Sequence, residues 1–136
     1  MIKKIFVDTN ILISAIIFDK KELELLIRCV SENIDIYISE HVLEEATRVF
    51  LKKFPEYLEL FEKFINLSEI KIIKRKIYGD SIKNIKNIRD KYDAHIIACA
   101  KASNCKIIIS GDKDLLSYKN KKIKIMKTSD FLQELN

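Results

Sequence analysis

Three apolar residues, Ile5-Phe6-Val7, run straight into a carboxylate at Asp8, and after Thr9 and Asn10 a second apolar run begins at Ile11. A run this apolar, closed by an acid, reads as a buried strand over Ile2–Val7 with a short helix over Asn10–Phe18 behind it. A carboxylate at the end of a buried strand is costly unless something pairs with it. What Asp8 faces therefore constrains everything else the chain can do.

The rest of the chain alternates between the two hydrophobic periods. Leu23, Leu26, Ile27 and Val30 fall at helical spacing in Glu22–Ser31, and Ile34–Ser39 alternates as a second strand. Ser39 is placed to cap a helix over Glu40–Lys53, whose apolar face is Val42, Leu43, Ala46, Val49 and Phe50. Pro55 suits the first turn of a helix over Glu56–Asn66, and Glu69–Ile73 reads as a third strand. Lys74–Ile88 carries the weakest pattern, with a turn at Gly79-Asp80 and a short helix over Ser81–Ile88. A buried helix over Tyr92–Ser103 and an apolar strand over Lys106–Ser110 follow. A helical turn at Leu115–Ser117, a fifth strand over Ile123–Met126 and a closing helix over Ser129–Leu135, capped by Thr128, complete the chain. Strands alternating with helices predict an α/β fold, a mostly parallel sheet sandwiched by helices. At 136 residues, with no repeat or linker, the expectation is one domain spanning 1–136.

Composition removes several classes. No apolar run approaches the roughly 18 residues of a membrane span, and Asp8, Thr9 and Asn10 interrupt the only candidate signal segment. Cys29, Cys99 and Cys105 form no close pair and read as reduced packing thiols of a cytoplasmic protein. His41 and His95 lack partners at zinc spacing, and no glycine-rich phosphate loop or nucleophile-elbow pattern is present. The net charge of +5 is compatible with nucleic acid. The densest basic runs are Lys119, Lys121, Lys122, Lys124 and Lys127, and Lys71, Lys74, Arg75 and Lys76. Either run could hold RNA backbone, though a solvated surface is the commoner use of any one lysine, and Tyr118 beside the first could stack on a base although a surface tyrosine is the commoner case.

Ligands of open parallel sheets bind beyond the carboxyl ends of the strands. That rule selects Asp8 after the first strand and Asp112 after the fourth, with Asp114 two residues on. Asp93 shares a helix face with Ile96, Ile97 and Ala100. A helix dipole accounts for an aspartate in a first turn, worth a few tenths to about 1 kcal/mol, but not for one that faces inward. Glu44 points away from the apolar arc centred on Ala46, whereas Glu45 sits at its border. Carboxylates gathered at one edge repel, by about 4 kcal/mol for a pair 4 Å apart at an effective dielectric of 20. Either some are protonated or a cation lies among them, and an all-oxygen donor set favours Mg²⁺ or Mn²⁺ over zinc.

Four segments in order carry a resemblance. Val7-Asp-Thr-Asn-Ile-Leu12, Ser39–Phe50 with Glu45, Asp93-Ala-His-Ile-Ile-Ala-Cys-Ala100 and Ile109-Ser-Gly-Asp-Lys-Asp-Leu-Leu116 together resemble the acidic motifs of PIN-domain nucleases, and Phe131-Leu-Gln-Glu-Leu135 resembles their closing helix. The resemblance implies a three-layer sandwich with strand order 3-2-1-4-5 and a Mg²⁺- or Mn²⁺-dependent endonuclease acting mostly on RNA. Many such relatives are toxins of toxin–antitoxin pairs, often homodimeric and silenced by a small partner protein.

It also implies that Asp8, Asp93 and Asp112 hold metal, with Glu45 binding a second ion or orienting the attacking water. In-line attack then leaves a 5′-phosphate and a 3′-hydroxyl. Asp114 shares the fourth motif with Asp112 and is an alternative ligand. Asp90 is a further supporting or alternative ligand, Asn10 a residue that fixes the turn after Asp8, and Ser110 a hydrogen-bonding partner of a carboxylate or of a metal-bound water. Ser110 stands where the family commonly has threonine. The competing classes are a non-catalytic RNA- or protein-binding module of the same fold and a structure-specific DNA nuclease.

Overall fold

The computed structural model describes residues 1–17 and 20–136. Its framework is five strands: β1 (Lys4–Val7), β2 (Asp35–Ser39), β3 (Lys71–Ile73), β4 (Ile107–Ile109) and β5 (Lys124–Met126). They form one sheet in the order β3-β2-β1-β4-β5, and every neighbouring pair is parallel. The register sets Phe6 beside Tyr37 on one side and Val7 beside Ile109 on the other. The central strands are apolar on both faces, with Ile5, Phe6, Val7, Ile108 and Ile109 fully buried. Such strands need cover above and below.

The helices supply that cover. They are α1 (Thr9–Ile17), α2 (Lys21–Ser31), α3 (Glu40–Lys53), α4 (Leu58–Leu67), α5 (Arg75–Tyr78), α6 (Lys91–Ala102), α7 (Lys113–Leu116) and α8 (Thr128–Leu135). The chain runs outward from β1 to β2 to β3, then crosses back to β4 beside β1 and on to β5. Accordingly α1 packs on α2 and α3, α2 meets α8, and α6 crosses β2 and packs on α5. The result is the α-β-α sandwich expected from the alternation. The expected end of the first helix, Phe18, lies outside the described residues. All three cysteines are free and buried, and burial pushes the Cys29 and Cys99 thiols up to about 12. Among the described residues no helix is long and apolar enough to cross a membrane.

Local chemistry explains the helix starts. Ser39 Oγ accepts the Val42 amide at 2.9 Å, as the sequence predicts for α3. Pro55 opens a single 3-10 turn, Pro55–Tyr57, and α4 begins behind it. Four expectations are corrected. Gly79-Asp80 is not a turn: Gly79 is helical, at φ −55° and ψ −43°, and α5 runs on into a 3-10 helix over Gly79–Asn84. The helix expected over Ser81–Ile88 therefore begins and ends earlier. The cause is tertiary. Glu40 accepts the Arg75 amide at 3.0 Å, Arg75 pairs with Glu44 at 2.7 Å, and Tyr78 is fully buried. Contacts 31 and 35 residues away in sequence thus start the helix. Thr128 does not cap α8 either. It lies inside the helix, its buried Oγ1 unpartnered. The turn expected at Leu115–Ser117 begins two residues earlier, because Asp112 caps it.

Candidate active site

β1 is the switch point of this sheet, since the chain leaves it toward β2 on one side and returns beside it at β4 on the other. The carboxyl ends of β1 and β4 therefore open into one crevice. The Asp8 amide continues the ladder to the Ile109 carbonyl at 3.0 Å, which holds Asp8 opposite Ser110. Asp8 is 4 % exposed and Ser110 fully buried.

Both oxygens of Asp8 are engaged. Ser110 Oγ donates to Oδ2 at 2.8 Å, and the Thr9 amide donates to Oδ1 at 2.7 Å. Tyr92 Oη, which also meets Thr9 Oγ1, donates to Oδ1 at 3.3 Å. Hydrogen bonds to charged groups contribute about 1.5–3 kcal/mol each, which offsets part of the cost of burial. Burial nonetheless wins and raises the Asp8 pKa above the ordinary carboxylate value. The donated bonds oppose it, and the Asp112 charge adds to it.

Asp93 is in the opposite situation. It is 1 % exposed in the first turn of α6, and neither of its oxygens has a hydrogen-bond donor among the described residues. Burial, reinforced by the charges of Asp112, Asp90, Asp8 and Asp114, pushes its pKa up to about 7. One carboxylate oxygen each from Asp93, Asp112 and Asp114 lie within 4.8 Å of one another. Asp8 stands beside this set, its oxygens turned to their donors.

Asp112 and Asp114 come together through a local device. The Asp112 amide donates to Ser110 Oγ at 3.0 Å, and Asp112 Oδ1 accepts the Asp114 amide at 2.8 Å as the cap of α7. One serine thus ties Asp8 to the chain that carries the other two acids.

The remaining predicted residues are placed as follows. Glu45 is half-buried on α3 and ion-paired with Arg48, while Glu44 is exposed, as helical phase requires. Glu45 is not one of the three grouped acids. Burial raises the Tyr92 hydroxyl pKa, the Asp8 charge adds to it, and the Glu45 charge contributes least. Asp90 is exposed and caps α6, accepting the Tyr92 amide at 2.9 Å. Asn10 does not fix the turn after Asp8. It is exposed within α1 and lines a 350 Å³ cleft with Ser14, Lys21, Ser110 and Lys127. The turn is held by Asp8 itself, whose carbonyl accepts the Ile11 amide at 3.1 Å.

Thr9 and Tyr92 were missed by sequence reasoning. Each adjoins an acid in sequence, but only the fold shows that both bond to Asp8 Oδ1. The histidines are a packing unit between α3 and α6. His41 and His95 stack at 4.2 Å between centroids, and His41 lies 5.0 Å from the Tyr92 ring. Burial lowers the pKa of both. Within the basic runs, Arg75 pairs with Glu44 and Lys124 with Glu134.

The residues fit a divalent cation. A buried carboxylate with two unpartnered oxygens, grouped with two further carboxylates and, among the described residues, with no nitrogen or sulfur donor, is an oxygen-only site of the kind hard cations occupy. The electrostatic cost of the bare arrangement points the same way.

A PIN domain family model matches residues 4–114. Several solved structures share the fold. VapBC of Salmonella typhimurium, crystallised bound to DNA, aligns at a TM-score of 0.69 and 19 % identity over 94 % of this chain and 99 % of that one. VapBC2 of Rickettsia felis, bound to a promoter DNA fragment, aligns at 0.65 and 22 % identity over 90 % and 96 %. Mycobacterium tuberculosis VapC20, a toxin that cleaves the sarcin–ricin loop, aligns at 0.57 and 15 % identity over 82 % and 92 %. No curated protein matches the sequence.

Proposed function

The chain belongs to the PIN domain family, and from that premise we propose that it is a divalent-metal-dependent endoribonuclease. The observation that carries this reading is Asp93, a buried carboxylate without a donor on either oxygen, beside Asp112 and Asp114. A module that only bound RNA would gain nothing from acids that repel its ligand.

In this reading Asp93, Asp112 and Asp114 hold Mg²⁺ or Mn²⁺ with Asp8 at their side. A bound cation of this kind lowers the pKa of water and stabilises charge on phosphoryl oxygens. The protein does the rest by position. Ser110, Thr9 and Tyr92 fix the Asp8 carboxylate, so no reorganisation is needed when charge develops. Asp112, by capping α7, holds Asp114 in place. Glu45, at the α3 border of the crevice, orients the attacking water and accepts its proton. Cleavage leaves a 5′-phosphate and a 3′-hydroxyl.

Likeness to VapBC and VapC20 supports the role of a toxin held by a small antitoxin. Exposed apolar side chains on α2 (Ile27, Val30) and α4 (Leu60, Leu67) offer surface for that partner or for a second copy.

The test is cleavage of an unstructured RNA by the purified chain. Turnover with Mg²⁺ or Mn²⁺ that stops with EDTA, and products carrying 5′-phosphate, are expected. Cleavage that survives EDTA or Asp8→Asn would overturn the reading, and preference for flapped DNA over RNA would replace the substrate.

A further inference from the structure

A second cleft adjoins the acidic set and takes no part in the account so far. It has a volume of 520 Å³ and lies between the 3-10 helix Gly79–Asn84, the segment 85–90 and the first turns of α6. Ile82, Ile85, Ile88 and Ala94 line it with apolar surface, and Lys83, Arg89 and Lys91 bring three exposed cations. Two carboxylates, Asp80 and Asp90, also line it, and Asp90 is engaged by the Tyr92 amide as the α6 cap. The cleft reaches the acidic set at both ends of a short path: Asp90 lies three residues before Asp93, and the Arg89 guanidinium approaches Asp114 at 3.9 Å while staying 91 % exposed. Neither basic run singled out by the sequence lines it.

We propose that this cleft is the subsite that holds the single-stranded RNA flanking the scissile phosphate, with Lys83, Arg89 and Lys91 on its phosphates and the isoleucine floor under its bases. This rests on the endoribonuclease reading.

Three observations select the ligand. A polyanion brought to a cluster of carboxylates needs compensating cations just outside it, and in this cleft Arg89 approaches Asp114 while Lys91 lies two residues before Asp93. The volume, in the range of about 300–1,000 Å³ typical of ligand sites, takes a nucleotide or two of an extended strand but not a duplex. The apolar floor suits unpaired bases, which present a face to protein only when the strand is single. Arg89 links the two parts: its guanidinium lies 3.9 Å from Asp114 and stays exposed, within reach of a phosphate in the cleft.

The test compares Lys83→Ala/Arg89→Ala/Lys91→Ala with a control of equal charge loss, Lys3→Ala/Lys52→Ala/Lys53→Ala. The control lysines are exposed, just before β1 and at the end of α3, and none of them lines the cleft. Binding of a labelled unstructured RNA is read by fluorescence anisotropy in EDTA, and cleavage of the same RNA is read with Mn²⁺.

The groove variant is expected to weaken binding and raise KM by about 10-fold, with kcat within about 2-fold. Its log–log salt slope should fall by about 2, from roughly 0.7 per lost phosphate contact on a single strand. The control should stay within about 2-fold of wild type. Equal losses in the two variants, an unchanged KM in the groove variant, or an equal loss for a duplex of the same sequence would each overturn the proposal. If the wild type binds through the groove yet never cleaves, the subsite stands and the nuclease reading falls. If it cleaves and the groove variant has wild-type KM, the reverse holds.

Discussion

Asp93→Asn is expected to reduce RNA cleavage by at least about 1,000-fold and, in the same protein, to raise the stability of the metal-free fold above pH 7. The two effects have one cause. Asp93 is buried with no donor on either oxygen, so its charge is uncompensated without a cation and indispensable with one. Asparagine keeps the shape, removes the charge and offers an amide hydrogen to the neighbouring acids.

The pH dependence has a definite sign. The folded pKa of Asp93, about 7, lies above its ordinary value of 3.8. The folded state therefore holds this proton more tightly than the unfolded chain does. That contribution is complete below about pH 4 and is lost as pH rises toward 7. Urea denaturation in EDTA should find wild type and variant close together near pH 4. The variant's advantage should then widen up to about pH 7 and stay level above it. Parallel curves, or a variant less stable at pH 8, would show that Asp93 has a donor in solution and is not poised for a cation.

The second large effect is stabilisation by the cation itself. A ligand that binds only the folded state stabilises by about 2.7 kcal/mol at 100 times its Kd. For a chain of 136 residues that corresponds to a rise in Tm on the order of 10 °C. Differential scanning fluorimetry with Mn²⁺ at pH 8 should show a rise of that size in wild type and little in Asp93→Asn. The rise should shrink as pH falls below 7, because a protonated Asp93 competes with the metal. A shift equal in wild type and variant would place the ion elsewhere.

The residues were unequally informative about these outcomes. Ile5-Phe6-Val7 and Ile107-Ile-Ile109 announce central strands because no half-exposed element tolerates such runs, and their ends announce the crevice. Ser39 marks the start of α3 for a reason local to four residues. Asp93 declares its direction through helical phase, because a single face of α6 holds Ile96, Ile97 and Ala100. Lys74–Ile88 declares little. Its helix depends on Glu40 and Glu44, which no local pattern reveals.

The site shows the same division. That Asp112 and Asp114 both reach the crevice follows from a cap and a serine bond that sequence spacing leaves open. The engagement of Asp8 by Tyr92 spans 84 residues. The cleft along 79–91 has no motif, since Lys83, Arg89 and Lys91 adjoin only through a bent backbone in which Asn87 takes a left-handed φ of 65°. Charge counted along the chain had favoured other lysines.

The central claim is that Asp93, Asp112 and Asp114 form a cation site beside Asp8. Crystals grown with Mn²⁺ and measured for its anomalous signal test this most directly. A peak bonded to an Asp93 oxygen and shared with Asp112 or Asp114 is expected. A peak coordinated elsewhere, or a site that stays empty at saturating Mn²⁺ with Asp93 bonded to a protein donor, would contradict it.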